Sequence, residues 1–277
     1  MAFRSSLQSL LRKLGLYQRL KASCLYDLYW KITDKRIVED RQKEVDFYRA
    51  LLKDLRKGDL IFDIGANEGF KTDIFLRLGA RVVALEPDKV NQEILKQRFL
   101  RLRLNTKPVV VVDKAVSDTN TIHAMWIDAP GSAKNTLSRK WVDTLRADDT
   151  RFGQRLQFAQ QREITTITLE QLVRDYGLPL FVKIDVEGHE PNVLRGLRRP
   201  VPYLSFEVNL PEFRPEGLEC VDLLHNLAPH GQFNYAADCR QGFVLERWLE
   251  PREFSTVLDR CSEKSIEVFW KTSARLT

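Results

Sequence analysis

Asp63, Gly65, Ala66, Asn67 and Gly69 fall within LIFDIGANEG (60–69), an apolar run that passes straight into a turn, and Glu86 closes the next apolar run, RVVALEPD (81–88). A buried strand ending in glycines brings backbone close to a ligand, and a carboxylate at the end of the neighbouring strand can accept both hydroxyls of a ribose. These residues read as a nucleotide-cofactor site. Asn67 stands where a dinucleotide site has its middle glycine, and Asp63 adds negative charge at the strand end. Both features disfavour a diphosphate and favour a ligand carrying an amine or a sulfonium. S-adenosylmethionine fits that description.

A second run, LFVKIDVEGHEPNVLRGL (180–197), carries an apolar strand with Lys183 inside it into Asp185, Glu187, Gly188, His189 and Glu190. DIGANEG with Thr72, LEPD, KAVSD, KIDVEGHE followed by VLRGL, and SFEVN, in that order, resemble the FkbM family of S-adenosylmethionine-dependent methyltransferases. The resemblance spans roughly residues 45–210. It implies a seven-stranded methyltransferase sheet, and backbone near Ala115 flanking an adenine. Known acceptors in the family include hydroxyls of polyketide-type products, glycans and glycolipids, which makes O-methylation the leading expectation.

The site residues follow from where strands end. Asp63 through Gly69 are expected to cradle the methionine part of the cofactor, and Glu86 to hold the ribose. Asp88 either joins Glu86 or caps the following helix. Methyl transfer to oxygen needs an aligned acceptor and a base. Asp185, Glu187 and His189 are the candidates: Asp185 to orient the acceptor, to bind the cofactor amine or, with Glu187, to ligate a divalent cation, and His189 to act as base. Glu190 in a helix's first turn reads as a cap and an anchor for the strand-end loop. Lys183 in an apolar strand needs a partner, and Glu207 is the one expected.

Elements must then place these residues. Strands near 60–64, 81–85, 109–112, 181–184 and 203–208 alternate with helices near 70–78, 88–103, 168–176 and 190–197, the pattern of a doubly wound, Rossmann-like α/β sheet that is mostly parallel. A helix near 218–228 follows, and the runs FNYAA, GFVLERW and IEVFW can finish the sheet with an antiparallel pair. The domain reading is an N-terminal helical extension (1–57) and a methyltransferase domain (58–277) in which 128–165 forms a lid. Its Lys134, Arg139, Lys140 and Arg146 would meet an anionic acceptor if they do not simply form a solvated face.

The chain has 277 residues, 43% hydrophobic and 30% charged, as expected for a globular enzyme. Four cysteines, widely spaced and without metal-ligand spacing, point away from zinc sites and disulfide frameworks and towards a reducing cytoplasm. No run approaches the roughly 18–20 apolar residues of a membrane span. Phe3, Leu7, Leu10, Leu11 and Leu14, interleaved with Arg4, Arg12, Lys13 and Arg19, form a basic amphipathic stripe suited to packing on the domain, to a homo-oligomer contact or to a membrane surface. A small-molecule or glycan acceptor is the expected partner. Two other classes stay open: an RNA methyltransferase using Lys96, Arg98, Arg101, Arg103 and Lys107, although no separate RNA-binding module is visible, and a noncatalytic scaffold.

Overall fold

The computed structural model describes residues 35–100, 108–147 and 156–272. The basic stripe from Phe3 to Arg19, together with Cys24, Arg101, Arg103, Lys107 and residues 148–155 of the lid segment, lies outside the described residues.

After α1 (Lys35–Leu51) the chain alternates: β1 (Leu60–Ile64), α2 (Phe70–Arg77), β2 (Arg81–Leu85), α3 (Lys89–Arg98) and β3 (Val109–Val112). Then come β4 (Ala115–Val116), β5 (Ile122–Ile127), α4 (Arg139–Ala147), β6 (Gln160–Ile167) and α5 (Leu169–Tyr176). The last stretch is β7 (Phe181–Ile184), α6 (Glu190–Arg195), β8 (Tyr203–Asn209), α7 (Arg214–Leu227), β9 (Gln232–Ala236), α8 (Pro251–Arg260) and β10 (Ser265–Lys271). Seven strands form one sheet in the order β3-β2-β1-β7-β8-β10-β9, parallel except for β10, which runs antiparallel to both neighbours. This is the seven-stranded arrangement implied by the resemblance. The chain winds outward from β1 to β3 and then returns to β7, so the switch in strand order lies between β1 and β7, where ligands gather in such sheets.

Burial explains why these runs are strands. All five residues of LIFDI and all four of FVKI are buried, because helices cover both faces of a parallel sheet and no face is left to be polar. Phe62, Val182, Leu204 and Trp270 pack against α5, α6, α7 and α8 on one side. Ile61, Val82, Phe181 and Phe269 pack against α1, α2 and α3 on the other. Full burial of each such side chain contributes about 1.5–3 kcal/mol. Tyr48 and Phe47 anchor α1 to that second core through edge contacts with Phe75 and Phe269, at 5.2 and 5.3 Å between ring centroids.

Three elements differ from expectation. GFVLERW (242–248) forms no strand. The Asn234 side chain bonds both the carbonyl and the N–H of Leu245, so backbone groups a ladder would have used are taken by a side chain. The sheet therefore gains a single reversed strand, β10, between β8 and β9. The stretch between 112 and 168, for which the sequence indicated no strand or helix, holds β4, β5, α4 and β6, and β4-β6-β5 make a small second sheet beside the main one. The helix expected over 88–103 is assigned over Lys89–Arg98. Among the described residues no helix is long and apolar enough to cross a membrane.

Candidate active site

The carboxyl ends of β1, β2 and β7 open onto a cleft of about 750 Å³, partly exposed to solvent. At the end of β1 the backbone turns through Gly65 (φ 79°) and Asn67 (φ 49°). A Cβ on Gly65 would lie 1.8 Å from the Asp185 carbonyl oxygen, so only glycine lets this turn lie against the end of β7. Glu86 sits just beyond β2, nearly buried, and its two oxygens accept hydrogen bonds from the backbone N–H groups of Asn67 (2.8 Å) and Asp88 (2.7 Å). One carboxylate thus clamps both strand-end turns. Burial pushes it up to about 7, against the two backbone hydrogen bonds.

Asp185, one residue past β7, accepts a hydrogen bond from Lys183 Nζ at 2.7 Å. The two lie on the same face because side chains in a strand repeat every second residue. Glu207, the expected partner of Lys183, instead accepts from Ser265 Oγ (2.8 Å) and Asn209 Nδ2 (3.3 Å). The nearer ligand wins because Asp185 needs no reach across the sheet. Burial works to raise the Asp185 carboxyl, but Lys183 outweighs it and holds the group ionised. Asp185, Glu187 and Glu207 bring carboxylate oxygens within 4.8 Å of one another. Burial, with Glu207 and Asp185 as neighbours, lifts Glu187 well above the usual range, and burial beside Asp185 lifts Glu207 to about 8. Asp185 and Glu187 are the pair beside which a divalent cation was expected, and Glu207 joins them, while Lys183 offsets the charge on Asp185.

The family profile described as the methyltransferase FkbM domain matches residues 63–229, more than half of the chain. The chain belongs to the FkbM methyltransferase family. The solved FkbM methyltransferase of Methylobacillus flagellatus KT matches over 80% of this chain at 17% identity and a TM-score of 0.48, and the match spans 46% of that protein. This FkbM chain therefore covers less than half the length of that relative. A TehB-like S-adenosylmethionine-dependent methyltransferase of Corynebacterium glutamicum matches over 83% of this chain and 88% of its own, at 9% identity and a TM-score of 0.42. A precorrin-6y C5,15-methyltransferase of Geobacter metallireducens matches over 84% and 86%, at 11% identity and a TM-score of 0.42. No curated protein shows significant sequence similarity to the chain.

Of the residues singled out from the FkbM sequence, Gly65, Asn67, Glu86, Ala115, Asp185, Glu187 and His189 line the cleft together. Asp63, Ala66, Gly69 and Asp88 stand behind it. Asp63 is buried and ties β1 to α2 by accepting from Thr72 Oγ1 at 2.5 Å, while its Oδ1 has no donor. Ala66 donates its N–H to Leu85 O, and Gly69 (φ 83°) begins α2. Asp88 is the N-cap of α3, accepting from Val90 N at 2.8 Å, and its other oxygen holds Asn135 Nδ2 at 3.2 Å. Glu190 anchors the strand-end loop, accepting from Val186 N (3.1 Å) and Gly188 N (3.3 Å).

His189 is buried, and its Nε2 lies 3.0 Å from Ser117 Oγ. That hydroxyl is placed to give its proton to Asp118, which places the imidazole proton on Nε2 and leaves Nδ1 an acceptor, a tautomer assigned from the hydrogen-bond pattern. Burial lowers the ring to about 4, so it is neutral at physiological pH.

Sequence reasoning did not single out Asn91, Lys114, Met125, Ser132, Ala133, Asn135, Thr136 or Leu137 as wall residues of this cleft. The Pro130–Gly131 turn signal inside 128–165 was the available cue, and it marks the loop that reaches the cleft. Thr136 Oγ1 fastens that loop by donating to Glu187 O at 2.8 Å. Asn67 and Asn91 each carry a buried side-chain oxygen that no protein donor meets. The basic residues of the segment are engaged: Arg139 with Asp143, Lys140 with Glu216, and Arg146 with the carbonyls of Gln157 and Phe158. Likewise Lys96 pairs with Glu93, and Arg98 lies over the Phe70 ring.

Proposed function

We propose that this FkbM-family enzyme methylates a hydroxyl oxygen of a small-molecule or glycan acceptor, with S-adenosylmethionine bound in the cleft at the β1–β7 switch. The observation that carries this reading is an ionised Asp185, fixed by Lys183, on the wall of a cleft whose other end is clamped by Glu86. The group fits the donor set. Carboxylates suit an amine, a sulfonium and ribose hydroxyls, and the unpaired oxygens of Asn67 and Asn91 suit ligand donors. When bound, the cofactor supplies an electrophilic methyl on a sulfonium.

Glu86 has lone pairs left beyond its two backbone bonds, and these accept from the ribose. Backbone at Ala115 would flank the adenine, and Gly65–Asn67 would hold the methionine part, with Asp63 and Gly69 shaping that turn from behind. His189, weighed first as a base, is better suited to binding: a ring that protonates near pH 4 is a weak base at neutral pH, whereas its Nδ1 accepts from a ligand N–H. Asp185, held ionised by Lys183, would accept a hydrogen bond from the acceptor hydroxyl and orient its oxygen towards the electrophilic methyl. Glu187, its carboxyl lifted by burial and by Glu207 and Asp185, lines the cleft beside Asp185 where the acceptor would enter. The test is transfer of label from methyl-labelled S-adenosylmethionine into an ether product stable to base. Label recovered as a base-labile ester or on nitrogen would contradict the hydroxyl assignment.

A further inference from the structure

A second cavity lies on the far side of Asp185. It holds about 750 Å³ of space open at one side, between α1, the first turn of α2, the face of β7, β8 and β10, and the turn after β9. Asp185 lines both this recess and the cofactor cleft, so molecules bound in the two would meet at its carboxylate.

The recess is polar, and its charges are engaged with one another. Lys71 pairs with Glu44, Lys183 with Asp185, and Arg240 with Asp238. Glu267 accepts from Ser205 Oγ at 2.7 Å and from Tyr48 at 3.0 Å. Five carboxylate residues face three basic ones, and even with Glu207 lifted to about 8 the ionised carboxylates outnumber the cations, so a phosphate or carboxylate entering here meets net repulsion. A protonated amine would be held, but an ammonium nitrogen has no lone pair to take a methyl group. An uncharged hydroxyl keeps its lone pair and exchanges hydrogen bonds with both signs of partner. Among the described basic residues of 128–165, Arg139, Lys140 and Arg146 are already engaged with protein groups.

We infer that the recess beneath α1 is the acceptor site, and that it takes an uncharged polyhydroxylated compound whose reacting hydroxyl reaches Asp185. This rests on the methyl-transfer reading for its role, but binding can be measured without the donor. The unliganded protein is examined by saturation-transfer NMR with methyl glucoside and myo-inositol, and with glucose 6-phosphate and glucuronate. Ala237→Trp, on the exposed turn at the mouth of the recess, is compared; Ala237→Leu serves if the larger variant does not fold. The expected result is saturation of the uncharged polyols, weak or none for the charged compounds, and at least a tenfold loss in the variant while S-adenosylhomocysteine affinity by calorimetry stays unchanged. Polyol signals untouched by the variant, preference for the charged compounds, or no polyol binding would overturn the inference. Wild-type protein that binds polyols there but not S-adenosylhomocysteine would leave the recess standing and strike the cofactor assignment instead.

Discussion

Two halves of this molecule hold their carboxylates in different ways. In the cofactor cleft, backbone does the holding: Glu86 is clamped by Asn67 N and Asp88 N, and Glu190 by Val186 N and Gly188 N. Under α1, side chains hold side chains: Lys183 holds Asp185, Ser265 holds Glu207, and Tyr48 and Ser205 hold Glu267. A backbone clamp is rigid and nearly local, so it fixes a ligand-binding atom to the strand that carries it. A side-chain network drawn from α1, α2, β7, β8 and β10 depends on every member, and loss of one leaves buried charge unpaired.

That contrast orders the substitutions. Lys183→Met removes a buried ammonium from beside Asp185, Asp63 and Glu267, and is expected to cost about 3–5 kcal/mol of stability, read by urea denaturation. A loss under 1 kcal/mol would mean the network does not hold the sheet face together. Asp185→Asn, which leaves the Lys183 ammonium without its carboxylate, should cost some stability, and in the folded protein it should lower transfer about 10²-fold or more in single-turnover kinetics, the size of a misplaced acceptor. Full activity would remove Asp185 from the chemistry.

Effects in the backbone-clamped half should be smaller. Glu86→Ala loses charge-assisted contacts of about 1.5–3 kcal/mol, so donor affinity should fall about tenfold or more in calorimetry. The same carboxyl gives a pH signature. Its folded value, raised by burial to about 7, lies above its unfolded one, so the stability associated with the protonated form is full below the ordinary carboxylate range and lost as pH rises through about 7. Ribose binding to the ionised form should strengthen over the same interval, and a donor affinity flat from pH 5.5 to 8.5 would deny Glu86 that role. Asp88→Ala, removing an N-cap, should cost only about 1 kcal/mol in thermal melts.

The same contrast explains what could be read from the chain. LIFDIGANEG and KIDVEGHE are contiguous, and a strand followed by a turn puts their side chains at one sheet edge whatever else the chain does. Gly65, Asn67, Glu86, Ala115, Asp185, Glu187 and His189 were therefore found, and they converge. Asp88 was legible as a cap for the same local reason. The partner of Lys183 was missed because strand register alone offered Glu207, whereas the side-chain reach from Lys183 to Asp185 on the same strand decided it. The recess was invisible, since Glu44, Lys71, Glu207 and Glu267 become neighbours only once α1 and the reversed β10 are in place. The second sheet was missed because IHAMWI and QQREITTI are half-exposed and make only partial alternation.

The most direct test of the central claim is calorimetric titration of wild-type protein and Glu86→Ala, side by side, with S-adenosylmethionine and with NAD. The account expects wild type to bind the methyl donor and not the dinucleotide, and Glu86→Ala to bind it about tenfold more weakly. Preference for NAD, or equal donor affinity in the two proteins, would contradict it.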